Sequence, residues 1–339
     1  KNELMMRAIH ITNVREEKLQ DITHEDCLNE GIRVDYDGEE HEILLENVPE
    51  GVNLIGGDNL TLMPKAIKNA TEINNEKFAH IKDGVAVTKF MYWLKKNIGK
   101  IKITELSAVE YLEGLRKQGE NYMGPSFEPI VAYGANGAMC HYSPSEESDT
   151  ELLPESFVLF DTGGQYLEGT TDITRTFALG PVTDEMKADF TRVCRSNINL
   201  ANAKFLYGCS GINLDIIARE PFWDVDMDYN HGTGHGVGFV LNVHEGPNGF
   251  RWKPSPGRSE ESILEEGMIT TDEPGIYLEG QYGIRLENEL LCVEGNENEY
   301  GQFMHFECIT ICPIDLDGVV VEMLSQKEKK WLNDYHKDV

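Results

Sequence analysis

The sequence predicts an α+β chain, and three observations carry that assignment. Short apolar runs bounded by turn residues, at 130–133, 157–160 and 173–177, read as buried strands. Longer segments of helical spacing with end signals, at 69–99, 105–117 and from 184 onward, read as helices. Four carboxylates, Asp161, Asp172, Glu273 and Glu287, stand in or beside strand-like apolar stretches, which marks these strands as bearing a site.

Length and charge set the outer limits. The chain has 339 residues, enough for one large or two ordinary domains. A formal net charge of −29 argues against a nucleic-acid surface or an anionic membrane partner, since both select an excess of Lys and Arg. No apolar run approaches the roughly 18 residues of a membrane span, and the N-terminus carries no signal-peptide pattern. A cytoplasmic location is expected. The chain opens at Lys1 rather than Met and reads as a fragment or processed form. Seven cysteines, Cys27, Cys140, Cys194, Cys209, Cys292, Cys308 and Cys312, form no CxxC pair and read as reduced, mostly buried thiols. Cys308 and Cys312 are expected on one face of a strand, as core residues.

Residues 1–64 form an N-terminal segment of unassigned identity. Strands are expected at 9–14 and 43–48, with turns at 49–51 and 56–59. The stretch 11–31 resembles the ASCH-type domains, small barrels that bind RNA, but is too short to make one. It reads as a leftover of a truncated or fused region.

The segment 69–99 follows, with Phe78, Ile81, Val85 and Leu94 near helical spacing, Lys95 and Lys96 in the last turn and Gly99 as terminator. Thr104 should cap a second helix whose stripe is Leu106, Val109, Leu112 and Leu115. The strand 130–133 runs into the loop 134–137, with His141 just beyond. Asp161 then ends one apolar run, Gly163-Gly164 reads as a turn, and Asp172 begins the next run. Two antiparallel strands there would set both carboxylates side by side. The competing reading has Asp172 closing a turn and pairing with Arg175. Thr183 should cap a long third helix, and Asn213 a shorter fourth through Glu220.

The segment 228–238 differs from the rest. His231-Gly-Thr-Gly-His235-Gly-Val-Gly238 packs four glycines and two histidines together, and His244 follows after an apolar run. Glycine at this density lets backbone approach something closely. Beyond it, Glu273 and Glu287 lie in strand-like surroundings, with Arg285 and Glu287 expected on one strand face. A last strand is expected at 306–313, before a helical tail containing Trp331. Asp161, Asp172, His235, Glu273 and Glu287 make a hard, oxygen-rich donor set that suits Mn²⁺ or Co²⁺ better than a thiolate-type zinc site. Two such ions about 3.5–4 Å apart would neutralise it and generate hydroxide near neutral pH.

The set resembles the X-prolyl aminopeptidases (aminopeptidase P), of the metallopeptidase superfamily with the pita-bread fold. The resemblance runs from about Lys65 to the C-terminus and rests on the Asp161/Asp172 spacing, the His231–Gly238 run, Thr271-Asp-Glu-Pro-Gly and Gly283-Ile-Arg-Leu-Glu-Asn. The form of the histidine run and of Asn242-Val-His-Glu-Gly-Pro is most similar to the cytosolic, long-chain type. That type carries two further domains before the catalytic one, and at most a remnant of the second, 43–51, is visible here. The resemblance implies a pita-bread catalytic domain over 65–339 that hydrolyses the bond between an N-terminal residue and a following proline, with peptides bearing proline second as partners. It leaves a homodimer open. It implies two divalent ions, Mn²⁺ first with Co²⁺ or Zn²⁺ as alternatives, held by Asp161, Asp172, His235, Glu273 and Glu287. Glu273 would also handle the proton of the attacking water, His231 and His244 would face the substrate, His141 would line the proline pocket, and Arg285 would hold the carboxylates. Rival readings on the same fold are a prolidase cutting X-Pro dipeptides, a methionine aminopeptidase, metal-free creatinase-like chemistry, and a binding module inactive for want of its N-terminal domains.

Overall fold

A computed structural model describes residues 61–254 and 262–339, so the strands and turns expected within 1–60, and the ASCH-like stretch, lie outside the described residues. The residues from Ala66 to Val339 form one compact unit.

Helix α1, Ala70–Asn97, starts where Asn69 and Glu72 cap each other: the Asn69 side chain accepts from the Thr71 and Glu72 N–H groups, and Glu72 accepts from Asn69 N at 2.9 Å. Lys95 and Lys96 complement its C-terminal end, and Gly99 follows at φ +71°, a conformation glycine supplies without strain. The expected apolar stripe is a correction. Phe78, Ile81 and Val85 are 50%, 47% and 48% exposed, while Ala79, His80, Asp83, Gly84, Val87, Phe90 and Leu94 face inward. The inward face is small and polar in the first half of the helix and apolar at Val87, Phe90 and Leu94, of which Leu94 alone belongs to the expected stripe. A Cβ on Gly84 would meet the Ile311 carbonyl oxygen at 1.7 Å, and Asp83 receives Arg116 Nε at 2.6 Å.

Arg116 ends helix α2, Glu105–Arg116, so the buried pair ties the two helices together. Thr104 caps α2 as expected. Of its expected stripe, Leu112 is fully buried, and Val109 and Leu115 pack at the margin.

Strands β2 (Ile130–Tyr133), β3 (Phe157–Thr162) and β6 (Ile173–Ala178) form an antiparallel sheet in the order β2-β3-β6, with Asp161 opposite Thr174. Phe90, Leu94 and Leu112 cover it by packing on Val131, Val158, Phe160 and Phe177. The expected Gly163-Gly164 turn is absent. Instead Gly164–Tyr166 (β4) and Gly169–Thr170 (β5) fold out and pair with Tyr122–Pro125 (β1), in the order β1-β4-β5. Gly163 is needed because its position crowds the Thr171 carbonyl, where a Cβ would come within 1.9 Å.

Helix α3, Asp184–Ala201, is capped by Thr183 and buries Phe190, Val193 and Ile198 against Phe157, Ile284 and Leu332. Helix α4 runs Gly211–Trp223 and is capped by Ser210. Asn213 lies in the first turn, accepting from Ser210 N at 2.8 Å, so it is not the cap. The second large sheet has the order β10-β13-β14-β7, from Ile269–Asp272 (β10), Asn288–Asn298 (β13), Gly301–Cys308 (β14) and Lys204–Leu206 (β7). Gly234–His235 (β8) pairs with Gly249–Phe250 (β9), and Gly275–Leu278 (β11) with Tyr282–Arg285 (β12). The expected last strand is shorter than 306–313. It ends at Cys308, so Cys308 and Cys312 do not share a strand face, although Cys312 is a core residue and Cys308 packs at the core margin. Helix α5, Gln326–Asp338, closes the chain.

Candidate metal centre

Three strand ends deliver the carboxylates. Asp161 lies in β3, and Asp172 directly precedes β6, so the β3–β6 register sets them side by side. Glu273 directly follows β10, and Glu287 lies in the link between β12 and β13. Arg285 and Glu287 therefore do not share one strand, although both side chains turn into the same space. Arg175 takes no part in holding Asp172. Its guanidinium donates to the Glu287 carbonyl at 2.6 Å and to Asn288, Cys312 and Tyr335 at 2.8 Å each, as a buried clamp between β6 and the C-terminal segment.

The glycine run brings in the histidine. A Cβ on Gly234 would meet the Thr271 carbonyl at 1.8 Å, and one on Gly236 the Glu245 carbonyl at 2.1 Å. The close approach is thus to β10 and its neighbours, and it lays His235 beside the carboxylates. His235 Nε2 is 3.4 Å from Asp172 Oδ2 and 3.6 Å from Glu273 Oε1. Its Nδ1 is 2.9 Å from the Gly236 carbonyl, which can only accept, so Nδ1 carries the hydrogen and Nε2 offers a lone pair to the site. Asp172, His235 and Glu287 have ligand atoms all within 4.8 Å of one another. Glu273 receives Thr271 Oγ1 at 3.3 Å, and Glu287 receives Thr174 Oγ1 at 2.6 Å. Asp161 is held by Arg285 Nη2 at 2.5 Å, while its Oδ1 is buried without a hydrogen bond.

The electrostatics are those of too many anions in too little water. Burial, and then the charges of Asp161 and Glu273, hold the Asp172 carboxyl well above the usual range. Burial and the Asp172 charge do the same to Glu287. Burial also raises Glu273, against the pull of His235 and Arg285. Such a cluster binds protons or cations. Two observations fit cations: the buried Oδ1 atoms of Asp161 and Asp172 make no hydrogen bond, and the donor set is four carboxylates and one imidazole.

The outer histidines differ among themselves. His231 is half-buried, with Nδ1 2.7 Å from the Gly232 carbonyl and Nε2 buried without a hydrogen bond. Burial, reinforced by the Arg285 charge, pushes its pKa down to about 3, so the ring is neutral at pH 7. His244 is exposed, its ring centroid 4.1 Å from that of His235. His141 is exposed and adds to the electrostatic field at His231. Tyr277 was not among the expected site residues. Its hydroxyl accepts from Arg285 Nη1 at 2.7 Å and its ring lies 5.3 Å from that of His231. Its place after Glu273-Pro-Gly, in the short apolar strand β11, carries no sequence signal that sets it apart from a core aromatic.

This donor set, on strand ends, is of the kind that holds divalent metal ions. The chain belongs to metallopeptidase family M24, whose model matches residues 75–294, with the C-terminal region of the family matching 302–339. Aminopeptidase P1 of Lotus japonicus is 41% identical over 299 residues, covering 81% of this chain and 45% of its own length. Xaa-Pro aminopeptidase 2 of Mus musculus is 40% identical over 278 residues, covering 82% and 40%. The chain thus spans about half the length of the curated relatives it matches. Among solved structures, the X-prolyl aminopeptidase of Caenorhabditis elegans, described as a cytosolic enzyme with a di-nuclear active site, superposes with a TM-score of 0.83 at 32% identity, covering 95% of this chain and 52% of that one. The prolidase from Pyrococcus furiosus superposes at 0.65 with 26% identity, covering 81% and 75%. The fold is the pita-bread fold of this family.

Proposed function

We propose that residues 65–339 are the catalytic domain of an Xaa-Pro aminopeptidase, which hydrolyses the bond between an N-terminal residue and a following proline. The observation that carries this reading is the convergence of Asp161, Asp172, His235, Glu273 and Glu287 at one group of strand ends. The names of the Lotus japonicus and Mus musculus relatives and of the Caenorhabditis elegans enzyme support it. That last protein's description as cytosolic also supports a cytoplasmic location.

In this reading Asp161, Asp172, His235, Glu273 and Glu287 would hold two divalent ions, Mn²⁺ by preference. Bound there, the ions supply Lewis acidity and a water nucleophile at neutral pH. Glu273, half-buried beside His235, would act as the base for the attacking water and pass its proton on. Arg285 holds Asp161 and keeps the remaining carboxylate oxygen turned to the site. His231, neutral and with its Nε2 lone pair free, accepts a hydrogen bond or a proton from the substrate side. His244 and His141 line the exposed mouth, His141 on the proline side. Proline lacks an N–H, so recognition rests on the shape of its ring.

The test compares an Xaa-Pro-Yaa tripeptide, an Xaa-Pro dipeptide and Met-Ala-Ser as substrates of the Mn²⁺-loaded protein. Cleavage of the tripeptide alone is expected. Preference for the dipeptide would assign the chain to prolidases, the reading that the Pyrococcus furiosus likeness favours. Turnover of Met-Ala-Ser alone would overturn the proline specificity.

A further inference from the structure

A second cluster of ligand-type side chains lies behind the first and shares no member with it. Glu76 and His80 stand one turn apart on the inner face of α1, and Glu289 reaches them from β13. All three are buried, at 1%, 0% and 0% exposure. Their donor atoms lie within 4.8 Å of one another.

His80 is the telling residue. Its Nε2 is 3.1 Å from Glu289 Oε2 and 3.9 Å from Glu76 Oε1, yet neither ring nitrogen makes a hydrogen bond, and neither does Glu289 Oε2. A fully buried imidazole with both nitrogens unsatisfied is costly. The separations show what would satisfy Nε2. Donors about 2.0–2.2 Å from one ion stand roughly 3–3.6 Å apart at tetrahedral or octahedral angles. The His80–Glu289 distance falls in that range, and the His80–Glu76 distance exceeds it by a few tenths of an ångström.

Glu289 Oε1 accepts from Asp172 N at 2.8 Å, which leaves the buried, unsatisfied Oε2 beside His80 Nε2. Glu76 Oε1, the oxygen 3.9 Å from His80 Nε2, also accepts from Thr170 N at 2.9 Å and keeps a second lone pair for an ion. Lys68, also buried, donates to the Val237 carbonyl and acts electrostatically on Glu245, Glu76, Glu289 and Glu72. One ammonium against four carboxyl groups leaves an excess of acidic groups here, and burial and the Glu289 charge hold Glu76 well above the usual range.

We propose that Glu76, His80 and Glu289 bind a further divalent first-row cation, a structural ion distinct from the hydrolytic pair. One imidazole and two carboxylates suit zinc or manganese. Because Glu289 also holds the Asp172 backbone, such an ion would brace a strand end of the hydrolytic site from behind. The three donors are sealed from solvent, whereas His235 and Glu273 keep 16% and 19% of their side-chain surface, so the buried ion should exchange last.

The experiment uses the full chain loaded with excess Zn²⁺ or Mn²⁺ and then desalted. Metal analysis should find one ion beyond the hydrolytic pair. Brief dialysis against chelator should strip the pair and leave that one. Crystals of the loaded protein should show an anomalous peak at the metal edge about 2.0–2.2 Å from His80 Nε2. His80→Ala and Glu76→Gln should each lose one ion equivalent and leave the peaks at the other site. Should these variants fail to fold, the map of the unaltered protein decides alone. Peaks only among Asp161, Asp172, His235, Glu273 and Glu287 would overturn the proposal and leave the hydrolytic reading intact. A peak only at His80 would do the reverse.

Discussion

Arg285 Nη2 meets Asp161 Oδ2 at 2.5 Å, and the same guanidinium reaches Tyr277 through Nη1 at 2.7 Å. One cation therefore fixes the direction of one carboxylate at the margin of a cluster of four. The other Asp161 oxygen, buried and without a hydrogen bond, is left facing the site.

Replacing that clamp should loosen the site without emptying it. Arg285→Lys keeps the charge but loses the planar fork that spans Asp161 and Tyr277. Activity or metal affinity should fall about 10- to 100-fold, as when a partner of a ligand is lost. Unchanged steady-state rates and unchanged metal titrations would show that Asp161 needs no such support.

Glu273 and Glu287 should separate into different roles. Glu273→Gln keeps the shape and one ligating oxygen but not the basicity, so turnover should drop by about 10²–10⁴ while metal remains bound. Glu287→Gln should lower occupancy together with rate, since Glu287 sits deepest in the cluster at 1% exposure. Metal analysis and kcat of the two variants in parallel make the comparison. Near-normal turnover in Glu273→Gln would move the base elsewhere, with His231 next in line.

For the outer histidines the two readouts should part company. His231→Ala and His244→Ala should keep the metal content of the unaltered protein and lose about 10²–10³ in kcat. A parallel fall in metal content would make them ligands.

The pH dependence of stability has a definite sign. Asp172, Glu287 and Glu273 have folded pKa values raised by burial. Each contributes stability that is full below its unfolded value of about 4 and is lost as pH rises through the folded value. His231, lowered to about 3, has the opposite sense: its contribution is present above about 6.5 and is lost as pH falls. His231 is common to both forms, so its effect cancels in the difference between metal-loaded and metal-free protein. The rise in Tm on adding Mn²⁺ should therefore grow between about pH 5 and pH 8, because the ion replaces protons the cluster gives up. Calorimetry at several pH values checks it, and a Tm increment that shrinks with pH would contradict it.

The sequence made the site easier to read than the packing. Asp161 and Asp172 stand at the ends of apolar runs long enough to be recognised as neighbouring strands, and the glycines around His235 signal a close backbone approach. The face of the first half of α1 is not legible, because its inward side there carries Glu76, His80, Asp83 and Gly84 while Phe78, Ile81 and Val85 face solvent. Hydrophobic periodicity cannot find a helix that packs through a buried ion pair and a glycine. The same reason hides Glu76, His80 and Glu289. Their types are polar, their spacing in the chain is long, and only the fold brings α1 against β13.

Removing and restoring the metal tests the central claim most directly. The protein is dialysed exhaustively against chelator, its fold is checked by circular dichroism, and hydrolysis of an Xaa-Pro-Yaa peptide is followed while Mn²⁺ is titrated back. Hydrolysis should vanish in the metal-free protein with the helices intact, and should return as occupancy of the Asp161–Asp172–His235–Glu273–Glu287 cluster rises. Full hydrolysis by the metal-free protein would contradict the account.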